Sequence, residues 1–308
     1  LLRQHRRHDR FRTPAQWVFT KVVRGVLSFH LSGIIPVVAK PLDFQMDWHD
    51  CLMPLAPNFY AIERAVLECA YAGCETIWII ANDDTSPLVR HRLGDYVQDP
   101  VWIGRKNKFP SESRRPIPIF YVPMPTIHDN KEHCISWTIL HGAKTAYDIG
   151  AGLSKWVAPS RFYVSFCHGI YNPKILRPVR REISKDINFA VTYRDKSFAT
   201  NDYLGFTFNV KQMNKGLDIF KETDKSLLWG EELENEKEYY EKNLSLDKVL
   251  GCVILSKHEQ LEAPWFYPID GWQPYCDFLA SDEKAEMRHP GKLIISYREF
   301  NPVGEDDE

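Results

Sequence analysis

The sequence predicts an α/β fold: a mostly parallel, doubly wound central sheet with a mixed C-terminal half. Three observations carry that prediction. Apolar runs rich in β-branched residues recur at 33–39 (GIIPVVA), 75–81 (ETIWIIA), 117–122 (IPIFYV) and 161–167 (RFYVSFC). Segments of helical spacing separate them, so the order implies parallel strands joined by right-handed crossovers. After Cys167 the character changes, and strand-like runs follow one another without a helix between.

The elements follow in order. Residues 33–39 read as a buried strand, and 40–57 as a long irregular stretch. Asn58 is positioned to cap a helix in which Ile62, Ala65, Val66, Cys69 and Ala70 share a face, with Gly73 as its stop. Residues 75–81 form the second strand, closed by Asn82-Asp83-Asp84 and a turn through Thr85-Ser86-Pro87. The basic stretch 105–115 reads as a surface loop, and 117–122 as the third strand. Ser136 is expected to cap a helix reaching Leu153, ahead of the fourth strand. Residues 189–193 and 203–210 read as strands, 231–243 as a charged helix, 244–255 as a more apolar helix or helix–strand, and 293–300 as a late strand. The expected organisation is a basic arm (1–32), one α/β domain (33–300) and an acidic tail (301–308).

Composition narrows the function classes. Of 308 residues, 44% are apolar and 26% charged, which is globular usage and not that of a disordered or fibrous chain. The net charge of -2 provides no global field for nucleic acid, so only the arginine-rich arm hints weakly at phosphate. The longest apolar candidate, 26–39, is broken by Ser28, His30, Ser32, Gly33 and Pro36, so no membrane span is expected. Seven scattered cysteines without a CxxC pair read as free thiols, which suits a reducing, cytoplasmic setting. The chain opens on Leu1 and not Met, as expected where residues upstream are not included.

Four groups of residues then stand in a fixed order. The strand at 34–37 precedes Met53-Pro54-Leu55, and a helix from Phe59 runs into Ala72-Gly73-Cys74-Glu75-Thr76-Ile77. Phe162 to His168 (FYVSFCH) comes second, and Gly205-Phe206-Thr207-Phe208-Asn209 third. Tyr267-Pro268-Ile269-Asp270-Gly271-Trp272, with Tyr275 and Phe278-Leu279-Ala280 behind it, is fourth. In this order and spacing, over about residues 33–282, they resemble the sugar-phosphate nucleotidyltransferase family, the nucleoside-diphosphate-sugar pyrophosphorylases of GT-A-like fold. The resemblance implies a nucleotide or sugar-phosphate ligand and a divalent cation, Mg²⁺ or Mn²⁺. It also implies a glycine-rich G-G-x-G-T-R loop after the first strand, a K-P-L lysine, and two metal-binding aspartates.

The chain departs from that pattern where chemistry is concentrated. Val37, Val38, Ala39, Lys40 and Pro41 stand in place of the glycines, which would let backbone N–H groups approach phosphates. Asp43 falls near the arginine position, and Met53 replaces the lysine. His168 replaces one aspartate, while Asp270 keeps the other; a histidine is a poor partner for a hard cation. The candidate ligand-binding residues are therefore Val38, Ala39, Lys40, Asp83, Asp84 and Gly205, with His168 and Asp270 as candidate metal ligands. The expected site lies at the carboxyl edge of the sheet, between the 40–54 loop, His168 and Asp270.

The functional expectation is a divergent nucleotidyltransferase-like protein that binds a nucleotide or sugar phosphate without efficient pyrophosphorylase turnover. The alternatives are a non-catalytic scaffolding subunit of a larger assembly and a GT-A glycosyltransferase using Asp83, Asp84 and Asp270. His128, His133, Cys134 and His141 do not match compact zinc spacing. Arg177, Arg180, Arg181 and Lys185 read as a solvated helix face, and Trp265, Phe266, Tyr267 and Trp272 as core or as a stacking platform. No GxSxG, HExxH or P-loop is present.

Overall fold

The computed structural model describes residues 30–37, 49–103, 116–124, 131, 134–154, 157–229, 240, 243–254, 256–289 and 291. Eight strands form the main sheet: β1 (Leu31–Pro36), β2 (Thr76–Ala81), β3 (Tyr96–Gln98), β4 (Pro116–Pro123), β5 (Arg161–Val164), β6 (Asn188–Thr192), β7 (Phe206–Asn209) and β8 (His258–Glu262). Their spatial order is β8-β6-β7-β5-β1-β2-β4-β3. β1 lies parallel to both β2 and β5, and β4 continues the parallel set beyond β2. β7 runs antiparallel to both of its neighbours, β8 returns parallel to β6, and β3 closes the far edge antiparallel. This is the α/β architecture expected, with the change of direction in the second half.

Alternation along each strand divides the core between two faces. Leu31, Ile35, Ile77, Ile79, Tyr163 and Val191 face one side, against helix α1 (Ala61–Ala72). Ile34, Trp78, Ile80, Phe162, Val164, Phe206 and Phe208 face the other. Among the described residues the other helices longer than one turn are α2 (Thr85–Leu93), α3 (Ile135–Leu153), α4 (Leu176–Ile183), α5 (Val210–Trp229) and α6 (Trp272–Ala280). α1, α4 and α6 contribute to the first core, α3 and α5 to the second. Both faces are covered, which is why the inner strands read as continuous apolar runs.

Several local expectations are corrected. Asn58 does not cap α1; at φ 56° it makes the turn between Pro54–Ala56 and Phe59–Tyr60. The helix starts after Tyr60, whose N–H donates to Glu63 Oε2 at 2.8 Å. Gly73 ends it at φ 97°, as its position suggests. Ser136 lies inside α3, and Cys134 is the residue before its first turn. Thr85-Ser86-Pro87 opens α2 instead of forming a turn, because proline is tolerated in a first helical turn. β7 passes directly into the twenty-residue α5, which was not expected. The helix or helix–strand expected at 244–255 is, over its described residues, two single helical turns, Leu246–Val249 and Gly251–Ile254. Edge strand β8 was also not anticipated. Residues 105–115, 231–239 and 293–300, the first 29 residues and the acidic tail lie outside the described residues.

Candidate functional site at the carboxyl edge of the sheet

The carboxyl ends of β1, β2 and β5 open onto one edge. Val37, the first residue after β1, donates its N–H to Ile80 O at 2.8 Å. Val38, Ala39 and Lys40 follow it and lie outside the described residues. The chain is described again at His49 and Asp50, and these two consecutive residues bridge neighbouring strand ends. His49 Nδ1 lies 3.2 Å from Thr85 Oγ1, and its Nε2 lies 3.9 Å from Asp84 Oδ2. Asp50 points the other way: its Oδ2 lies 2.7 Å from His168 Nε2, while its Oδ1 accepts from the Cys51 N–H at 2.8 Å.

Both members of the Asp50–His168 pair are buried, and the imidazole lies 5.4 Å from the Tyr203 ring. Next to it, Gly169–Ile170 pairs antiparallel with Tyr267–Pro268, and the Ile269 N–H donates to His168 O at 2.8 Å. The fourth sequence motif is thereby fixed against the second through their backbones. The Asp270 side chain is exposed just before α6, and Asp83 and Asp84 are exposed just before α2.

The segment that carries His168 rests on a dry polar network. Arg64 and Glu68, one turn apart on α1, are wholly buried, with Nη1 2.8 Å from Glu68 Oε2. Glu68 also accepts from Tyr163 Oη at 2.7 Å, from Ser165 Oγ at 2.8 Å, and from Tyr171 Oη. Arg64 Nη2 donates to Phe166 O at 2.5 Å, and its guanidinium faces the Tyr171 ring at 5.1 Å. Burial, reinforced by the Glu68 carboxylate, pushes both tyrosine hydroxyls well above their ordinary range, so they act as donors. The nearby thiols of Cys51 and Cys167 are pushed up as well, first by burial. They are therefore poor nucleophiles.

Gly205, a candidate ligand contact from sequence, has a packing reason to be glycine. A Cβ there would overlap Tyr163 Oη and come within 2.5 Å of Glu68 Oε1. Met53, at the position of the resemblance's lysine, is fully buried in the first core. Arg180, read as solvated, instead makes a two-pronged contact at 2.8 Å to the buried Asp99 carboxylate. Trp265 and Phe266 belong to the core, whereas Trp272 is exposed. Cys134 donates its thiol toward Leu244 O at 3.6 Å, and His141 stacks near Trp137. His128 and His133 lie outside the described residues.

Among the described residues no group of three His, Cys, Asp or Glu side chains gathers. His168 spends Nε2 on Asp50, and Asp270 is exposed. His168 and Asp270 therefore do not make up the oxygen-rich shell that Mg²⁺ requires. Asp50 was missed by sequence reading because it sits in an irregular stretch with no motif around it. The available signal was His168 itself, a histidine in a carboxylate's place, whose ring N–H calls for an acceptor.

No family model matches the chain, and no curated protein matches it. Solved structures do. A protein assigned as a glucose-1-phosphate thymidylyltransferase from Bacillus anthracis aligns with TM-score 0.50 at 11% identity, over 85% of this chain and 98% of that one. A UDP-glucose pyrophosphorylase complexed with UDP-glucose aligns with TM-score 0.49 at 10% identity, over 81% and 97%. A CTP:phosphocholine cytidylyltransferase from Streptococcus pneumoniae aligns with TM-score 0.45 at 14% identity, over 80% and 97%. The first of these alignments shows that the chain shares the α/β fold of that thymidylyltransferase-like protein. At these identities the likeness concerns the fold, and function has to be argued from the site. Among the described residues no helix is long and apolar enough to cross a membrane.

Proposed function

We propose that this chain binds a nucleotide or sugar phosphate at the carboxyl edge of its sheet and does not run efficient pyrophosphorylase chemistry. The observation that carries the reading is the Asp50–His168 pair. It stands where the resemblance places a metal-binding aspartate, and it presents an oriented imidazole in place of an open carboxylate. When protonated, an imidazole whose Nε2 is held by a carboxylate is suited to donate its Nδ1–H to a phosphate oxygen. The buried Met53 supports the second half of the reading, since a lysine that would steady phosphate charge is absent there. Groups of this kind are each worth about 10²–10³ in rate, so the loss of several together leaves little turnover.

Two measurements test this. In a thermal-shift screen with nucleoside triphosphates and sugar nucleotides, at least one ligand is expected to raise the melting temperature, following RT ln(1 + [L]/Kd). His168→Ala is expected to weaken that ligand about tenfold, the worth of one charge-assisted hydrogen bond. Pyrophosphate release from each triphosphate with sugar 1-phosphates and Mg²⁺ is expected to stay near background. Robust release that depends on Asp270 would overturn the second half of the reading. A screen in which no ligand shifts the protein would overturn the first half. A scaffolding role would then stand, supported by Ile149 and Leu153, exposed one turn apart on α3 at 47% and 61%.

A further inference from the structure

Away from the sheet edge, Lys131 has an unusual environment. It lies on the connection that leaves the carboxyl end of β4 and enters α3, and the Cys134 N–H donates to its carbonyl at 2.9 Å. Its side chain is only 5% exposed. The ammonium lies 4.6 Å from the ring centre of Trp137 in the first turn of α3. It lies 5.9 Å from that of Phe220 on α5 and 5.1 Å from that of Tyr240. Asp224, one turn beyond Phe220, places Oδ2 2.7 Å from it. The rings also touch one another: Trp137 and Phe220 have centroids 5.1 Å apart, and Phe220 and Tyr240 6.4 Å. Tyr240 Oη donates to the second Asp224 oxygen at 2.5 Å, which fixes the carboxylate.

A lysine that needed only a counter-ion would find one at the surface, where its ammonium stays hydrated. Here the ammonium is buried, while the Asp224 carboxylate that faces it keeps 39% exposure. A buried ammonium is costly unless several groups face it. Aromatic faces do so through their quadrupoles, most effectively where water is excluded. Three rings and one oriented carboxylate therefore make a box that selects an organic cation over a neutral group of the same shape. We infer that this box is an alkylammonium-binding site, occupied in cis by Lys131. Its occupation fastens Lys131, between β4 and α3, to α5. An amine from solution gains access once the lysine side chain is removed.

The test is chemical rescue. In Lys131→Ala the missing part of the side chain is n-propylammonium. The variant is expected to melt roughly 3–6 °C below the parent chain. Added n-propylammonium chloride should restore most of that loss, whereas n-propanol or matched sodium chloride should not. The parent chain should not respond to the amine. Equal shifts in variant and parent, rescue by propanol, or no rescue of a folded variant would each overturn the inference. Should Lys131→Ala fail to fold, Lys131→Met keeps the stem and removes the charge. It is expected to be folded, less stable than the parent and indifferent to the amine, and parental stability in that variant would overturn the inference.

Discussion

Replacing Glu68 by alanine is expected to lower the free energy of unfolding by about 3–5 kcal/mol, the cost of breaking a buried ion pair from one side. The geometry places it in that range. Arg64 would keep its charge, wholly buried, with the Phe166 carbonyl as its remaining hydrogen-bond acceptor. The hydroxyls of Tyr163, Tyr171 and Ser165 would lose the carboxylate they share. Urea denaturation checks this: the midpoint should fall with little change in slope. Replacing Arg64 and Glu68 together by leucine and methionine should recover much of the loss, since a packed apolar pair often equals a buried ionic one. If the single alanine variant loses less than about 1 kcal/mol, the network does not hold the segment after β5 in the way described.

Gly169→Ala is expected to be nearly as damaging, and at one defined place. A Cβ at residue 169 would fall on the backbone carbonyl of Tyr203, and a backbone atom cannot rotate out of the way as a side chain can. Overpacking costs about 1–3 kcal/mol in general, and the upper end applies where backbone has to shift. Gly169 follows His168 and pairs with Pro268, so the displacement falls on the Asp50–His168 contact and on the ribbon before Asp270. The expected result is a variant that folds with a reduced melting temperature and loses the thermal response to any nucleotide that shifts the parent. A variant with undiminished ligand response would show that the ribbon does not position the site.

How far the sequence reveals this molecule depends on where each residue's partner lies. β1, β2 and β5 are legible because strands covered on both faces are mostly apolar and bounded by turn residues, and β4, exposed at Pro116, Phe120 and Pro123, because its run is rich in isoleucine, valine and aromatics. α5 is hidden by its start: it continues β7 without a break, and its signal is the 3–4 spacing of Val210, Met213, Leu217 and Phe220. β8 reads HEQLE and alternates weakly because it is an edge strand, half in solvent. On α1, Arg64 and Glu68 have the spacing of an ordinary surface ion pair, yet both are in the interior. Nothing local distinguishes the two cases. What buries them is Tyr163, Tyr171 and Phe166, which arrive about a hundred residues later. The same holds for Asp50, whose partner His168 lies on another strand end.

The sheet order also constrains how the chain can be made. β1 is central, yet its two neighbours come from residues 76–81 and 161–164. During synthesis from the N-terminus, β1 and β2 can pair as soon as α1 has closed over them. The other side of β1 then has no hydrogen-bonding neighbour until residue 164 has left the ribosome. For that interval a nascent chain carries a mostly apolar strand with an open edge, the kind of template that recruits other chains. Fragments ending near residue 155 are therefore expected to aggregate, and fragments extending past β5 to be better protected. Because β7 joins β5 antiparallel and passes straight into α5, the remaining half can add to an already closed centre.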